Sequence, residues 1–281
     1  MNRFVLCLLS MMVMLGCSST SKVDVDKLPA PPSTQELVEA HNARIATLET
    51  LWARVSVRAK GTYEDGTGYE EQGEGHLQIV RPDRVSLSIG KLGETYFVFG
   101  ASESQYWSFN LADADRKVML IGSMDQVTRG KAAALGLPVH PSELIPLSGL
   151  ASIDLSQAGG TRWREDAKAY GFSTPARWGS TMTWFDPRTK HVVQTQAYDE
   201  YNELIASAEM SRYKDAQVPG ELPVQVPGKI EITTPNDSGF VRIETSEPQA
   251  RTIRAMVFEP ERLQRAYRVD EVIDLDEPIE P

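Results

Sequence analysis

The chain has 281 residues, 41% hydrophobic and 24% charged, with a formal charge of -10 at pH 7. That is enough for one large β domain or two small ones, and nothing beyond Leu15 is apolar for long enough to cross a bilayer as a helix. The acidic balance, with no basic cluster interleaved with aromatics, excludes sustained contact with nucleic-acid phosphates.

The N-terminus carries Arg3, an apolar run through residues 4–15, then Gly16, Cys17 and a Ser-Ser-Thr tract. The run is well short of the roughly 20 residues that span a bilayer, so residues 1–16 read as a cleavable export signal. Met14-Leu15-Gly16-Cys17 resembles the lipobox of bacterial lipoproteins, in which the cysteine is acylated and becomes the new N-terminus. Cys7 follows the bulky Leu6 and is the poorer candidate. Several acyl chains on Cys17 would make membrane attachment effectively permanent. Ser18 after the cysteine, under the sorting rule this resemblance implies, gives outer-membrane, periplasm-facing placement as the default. With Cys7 removed and Cys17 acylated, the mature domain has no thiol for a disulfide, a nucleophile or a metal site.

Residues 17–33 read as a flexible tether ending in Pro29-Ala30-Pro31-Pro32. Ser33-Thr34-Gln35-Glu36 fits a capping box, and Leu37, His41, Ile45, Leu48 and Trp52 then recur at helical spacing on one face. After Trp52 the period changes to two: Val55, Val57 and Ala59 alternate with charged residues, Leu77 and Ile79 with His76 and Gln78, and Val85, Leu87 and Ile89 with serines. Asp65-Gly66 and Arg81-Pro82-Asp83 mark turns, and runs at 95–99, 105–109 and 117–121 complete a first antiparallel meander.

Residues 123–150 are apolar but broken by Gly136, Pro138, Pro141 and Pro146, which suits short helices better than strands. Such an insertion must bury itself against the sheet, and we read it as a lid carrying Leu135, Leu137, Leu144 and Leu147. Strands resume near Thr181, with Met182 and Trp184 alternating with threonines and Asp186-Pro187-Arg188-Thr189-Lys190 as a turn. A Pro-Gly-rich loop reaches Pro227, two more strands follow, and the count comes to ten or eleven in one sheet. Pro260 is placed to open a last short helix bearing Leu263 and Tyr267, before an acidic tail expected to be solvated. The resulting division is a half-barrel domain at 34–258, then the helix and tail at 259–281.

This order of elements resembles the superfamily of periplasmic lipoprotein carriers and receptors, the LolA and LolB proteins. The resemblance runs from about residue 34 to residue 250 and is strongest at Trp184-Phe185-Asp186-Pro187-Arg188, Gln196-Ala197-Tyr198-Asp199 and Ser211-Arg212-Tyr213. Asn202 stands where such proteins often carry glycine, and asparagine also accepts positive φ. The resemblance implies a mainly β, α+β fold: a strongly curved antiparallel sheet forming an incomplete barrel, closed over helices, with an apolar concavity for acyl chains. Alternation assigns Val57, Leu77, Leu87, Phe97, Phe99, Trp107, Phe109, Met119, Ile121, Met182 and Trp184 to the concave side. The same residues also suit an ordinary filled core. Cys17 tilts the analogy toward a membrane-anchored, LolB-like lipoprotein rather than a soluble shuttle, although the acids of the Tyr63-Glu64-Asp65-Gly66 hairpin make it a poor membrane wedge.

Catalysis leaves little trace. His41, His76, His140 and His191 are far apart, with no paired metal spacing, and no nucleophile elbow or phosphate loop occurs. We therefore expect no enzyme, no metal and no cofactor. The expected partners are a membrane through Cys17, and acyl chains or another lipoprotein. The alternative is an envelope interaction module with a filled core and a protein partner.

Overall fold

The computed structural model describes residues 31–62, 68–135, 139–235 and 239–277. The expected signal, Cys17, nearly all of the expected tether, the tip of the expected 63–69 hairpin and Leu137 lie outside the described residues. The folded unit begins at Pro32. It opens with α1 (Thr34–Ile45), whose capping box is complete: the Ser33 hydroxyl accepts from the Glu36 amide and the Glu36 carboxylate accepts from the Ser33 amide at 2.7 Å. Such a cap is worth about 1 kcal/mol.

A first meander follows: β1 (Thr50–Thr62), β2 (Gly68–Val80), β3 (Arg84–Lys91), β4 (Glu94–Ala101), β5 (Gln105–Asn110) and β6 (Val118–Ser123). The insertion comes next, with α2 (Arg129–Ala134), a 3-10 turn at Pro141–Glu143 and α3 (Leu144–Leu147). The second meander comprises β7 (Arg162–Arg164), β8 (Ala169–Ala176), β9 (Gly179–Phe185), β10 (Val192–Asp199) and β11 (Leu204–Ser211). A small hairpin of β12 (Lys214–Ala216) and β13 (Val224–Val226) leads to β14 (Lys229–Thr233) and β15 (Gly239–Gln249). The chain ends on α4 (Pro260–Tyr267) and β16 (Glu271–Asp274).

Fourteen of these strands form one sheet in the order β16-β6-β5-β4-β3-β2-β1-β15-β14-β11-β10-β9-β8-β7. The two meanders join where β1 pairs with β15, and the curved sheet stays open at β7 and β16. Register shifts in β1 at Trp52/Arg54, in β3 at Ile89/Gly90 and in β10 at Val192/Gln194 add local twist. At Gly75 a Cβ would fall 1.7 Å from the Ser88 carbonyl oxygen, so only glycine permits the tight bend of β2 over β3.

The strand count exceeds the expectation because β7, β8, the β12–β13 hairpin and β16 carry weak signals. Pro175 and Gly171 interrupt β8, and β12 and β13 are three residues each. The acidic C-terminus corrects the expected solvated tail. Glu271–Asp274 adds to β6 as a parallel strand, and Asp276 binds both the Ser123 amide at 2.7 Å and the Lys131 ammonium at 2.6 Å. Main-chain hydrogen bonding to an open edge outweighs the charge of this segment.

Two apolar clusters lie on opposite faces of the sheet. The larger fills the concave face, where α1 and the insertion pack on both meanders. The smaller lies on the outer face of β4–β6, where Val98, Trp107, Phe109 and Met119 are covered by Phe258 and by Leu263 of α4. Tyr267 meets Phe109 with ring centroids 5.7 Å apart.

Candidate functional site

The concave face is built by the in-register inner positions of the strands. Of the expected residues, Val57, Leu77, Leu87, Phe97 and Phe99 lie there, in the main cluster. Trp107, Phe109, Met119 and Ile121 are a correction: they belong to the outer cluster. Tyr106 pairs across the sheet with Ala101, and both are inner, so Trp107 must face out. Met182 and Trp184 are corrected in the same way. Phe185 packs in the main cluster, so Thr181 and Thr183 share its inner phase while Met182 and Trp184 turn outward. There the Trp184 indole donates to Gln196 at 2.9 Å and lies 4.7 Å under the Arg164 guanidinium.

Burial is graded across this face. Phe99, Ile79 and Val85 are buried, whereas Leu87, Ile89 and Phe97 of β3–β4, together with Ile232 and Val241 of β14–β15, are half-buried against the main cluster. At its edge the β3–β4 turn places Leu92 at φ 56 and 99% exposed. The opposite region is filled. Leu135 and Leu147 of the expected lid are buried in the main cluster with Val139, Ile145 and Leu150, and Leu144 packs against it half-buried.

Polar ties hold the insertion to the turns of the second meander. Arg129 pairs with Asp199 at 3.0 Å, the Thr181 hydroxyl donates to Glu143 at 3.2 Å, and His140 meets Trp178 edge-on at 4.9 Å. Asp199 is already the hub of the β10–β11 turn, accepting from the Tyr201 and Glu203 amides; those bonds and Arg129 hold its carboxyl below the usual range. Asn202 in that turn has φ 63, as its position requires.

At the far end, α1 is fixed by groups that the sequence marks only as a turn and a lone histidine. The Arg81 guanidinium of the β2–β3 turn donates to the Ile45 and Leu48 carbonyls, satisfying orphan acceptors at the helix end, and its peptide to Pro82 is cis. His41 is buried, donating Nε2–H to Ala151 at 2.8 Å and accepting from Arg44 at Nδ1. Burial pushes its pKa down to about 4. Asp186 caps its own turn through the Arg188 and Thr189 amides.

Between α1, the insertion and β8–β10 remains a cavity of about 220 Å³, lined by His41, Glu143, Asp154, Thr174, Thr181 and Thr183 among others. A larger trough of about 1010 Å³ lies mainly on the outer positions of β15, β1, β2 and β3, where Arg54, Ser56, Gln72, Glu74 and His76 stand. The apolar concavity therefore keeps a half-buried stretch along β3–β4 and β14–β15 and one small cavity of mixed lining among the described residues.

An open, curved antiparallel sheet wrapped on a helix and a mid-chain helical insertion is the LolA-like fold. Solved structures that share it include a DUF1329 family protein from Desulfovibrio piger (TM-score 0.55, 10% identity, 82% of this chain and 98% of that one), a LolA superfamily protein from Nitrosomonas europaea (0.51, 10%, 81% and 97%), and a putative outer membrane lipoprotein-sorting protein domain from Vibrio parahaemolyticus (0.52, 13%, 82% and 97%). At these identities the likeness is one of fold. No protein-family model and no curated protein matches the sequence.

Proposed function

We propose that the protein is a membrane-anchored periplasmic lipoprotein, held by acylated Cys17, that binds acyl chains of lipid or of another lipoprotein on its concave face without catalysing a reaction. The observation that carries this reading is the way the concavity is filled. Its occupant is a Pro-broken insertion whose helices are six and four residues long. Helices that short have no stability of their own and persist only through packing. Leu135, Val139, Ile145 and Leu147 bury apolar surface that an acyl chain could bury equally well, at roughly 25 cal/mol per Å² in either case. The half-buried stretch of Leu87, Ile89 and Phe97 offers an entry, and the exposed Leu92 beside it offers a contact with a bilayer. The solved structure named for lipoprotein sorting shares the architecture and supports the assignment.

The test is native mass spectrometry with lipid extraction on the full chain purified from a bacterial envelope, with a Leu144→Asp variant alongside and thermal unfolding as the folding control. Lipid beyond the covalent anchor, lost in the variant, is the expected result. A folded protein that carries none and takes up no added fatty acid would overturn the reading and leave a module for a protein partner.

A further inference from the structure

The cavity of about 220 Å³ is unlike the rest of the concave face. Two acidic residues line it, the half-buried Glu143 and the exposed Asp154, and neither forms an ion pair among the described residues. Glu143 accepts from the Thr181 hydroxyl at 3.2 Å, and burial pushes its carboxyl pKa up; among the described residues Asp154 accepts only from Ser156, at 2.9 and 2.8 Å. Among the described residues no Lys or Arg lines the cavity, and the two cations that touch its wall residues are engaged there and beyond: Arg81 donates to the Ser152 hydroxyl and to the Ile45 and Leu48 carbonyls, and Arg44 donates to His41 Nδ1 and to the Gln225 carbonyl. His41 in the wall is neutral, with both ring nitrogens in use.

The second observation is Thr183. Its side chain lines the cavity, the residue is only 8% exposed, and its hydroxyl has no hydrogen-bond partner among the described residues. Directly across on β10 stands Thr195, 1% exposed, whose hydroxyl is also unpartnered. Buried polar groups are normally paired, and a mostly buried carboxyl without a cation is costly. A site with carboxylates, a free hydroxyl and no cation of its own is built to receive donors carrying positive charge.

We propose that this cavity is a binding site for a primary ammonium group on a short stem, its N–H groups donated to the Glu143 carboxylate and the Thr183 hydroxyl with Asp154 adding to the negative field. Thr181 and Thr183 belong to the same inner face as Phe172 and Phe185, so an aminated head group seated here would leave its apolar part on the concave face. That lipid form of the inference rests on the acyl-chain reading; the ammonium site does not.

The experiment is calorimetric titration of the full chain in non-ionic detergent with ethanolamine, glycerol, lysophosphatidylethanolamine and lysophosphatidylglycerol, repeated on Glu143→Gln and Thr183→Val. Both variants are close in shape to the native residues, and their thermal unfolding is compared with the wild type. We expect ethanolamine but not glycerol to bind, a tenfold or greater loss in Glu143→Gln, a smaller loss in Thr183→Val, and a tenfold preference for the ethanolamine lysolipid that disappears in Glu143→Gln. Equal response to ethanolamine and glycerol, or a preference that survives Glu143→Gln in a folded protein, would overturn the site. Ethanolamine binding that depends on Glu143 without any lysolipid binding would uphold the site and refute the acyl-chain reading. Equal binding of both lysolipids with no ethanolamine effect would do the reverse.

Discussion

The two meanders present opposite inner surfaces. The first, β1–β6, lines its concave side with Leu77, Ile79, Val85, Phe97 and Phe99, large side chains that fill space themselves. The second sets Phe185, Val192 and Met210 among Thr181, Thr183, Thr195, Ala197, Ala206 and Ala208 on β9–β11, small side chains that leave space. That space is where α1, the insertion and the polar cavity sit. The outer faces reverse the pattern: the first meander carries a second apolar cluster that needs α4 as cover, whereas the outer face of β9–β10 is finished by Trp184, Gln194 and Gln196 in polar contacts. One sheet thus has a half that makes a core and a half that accommodates other groups, and ligand chemistry is expected where the sheet accommodates.

The largest expected effect breaks the first half. Trp107→Ala removes a fully buried side chain from beneath α4 and should cost about 3–5 kcal/mol in urea unfolding. Thr183→Val, which fills no gap and pairs with nothing, should change stability by no more than about 0.5 kcal/mol. Equal costs at the two positions would erase the distinction between the halves.

The next effect is a pH dependence located on α1, where His41 packs against Phe185 of the second half. His41 has a folded pKa of about 4 against 6.5 when exposed, so between those values the unfolded chain binds a proton that the native state refuses. Stability is therefore intact above pH 6.5 and falls as pH drops toward 4, by roughly 3 kcal/mol from this group. Chemical denaturation from pH 7.5 to 4 should show that slope and lose most of it in His41→Gln.

Smaller effects sharpen the account of the insertion. Asp199→Ala leaves the β10–β11 turn amides unpaired and should cost about 1–3 kcal/mol. Arg129→Ala removes only the exposed side of the same ion pair; we expect less than about 1 kcal/mol in global stability. It should nevertheless speed proteolysis within residues 124–150, because a tie of the insertion is lost while the sheet is unchanged. Limited digestion followed by mass mapping separates the two.

Much of this was legible in the sequence where one face of a strand is wet. The alternation in β1–β3 places Val57, Leu77 and Leu87 correctly, and the capping box and the Asp186 turn stand as their residues dictate. Alternation fails where both faces are buried. In β5 the run Tyr106-Trp107-Ser108-Phe109 is buried throughout, so hydrophobicity cannot choose a face, and the larger Trp and Phe turn toward α4 while Tyr106 faces in. In β9 the apolar Met182 and Trp184 look like the inner set, yet the threonines are inner because the cavity and its neighbours stand opposite them. Glu143 and Thr183 carried no signal at all: they are 40 residues apart and meet only through the fold. The C-terminus misled through its charge, since the main chain, not the side chains, bonds Glu271–Asp274 to β6.

The central claim is that the insertion fills a face which an acyl chain can take over. Hydrogen–deuterium exchange on the full chain, with and without a saturating long-chain fatty acid, tests it most directly. The account predicts that amides of Arg129–Ala134 and Leu144–Leu147 exchange faster with the fatty acid present, while those of β3 and β4 slow down. Exchange in the insertion as slow as in the central strands, unchanged by the fatty acid, would contradict it.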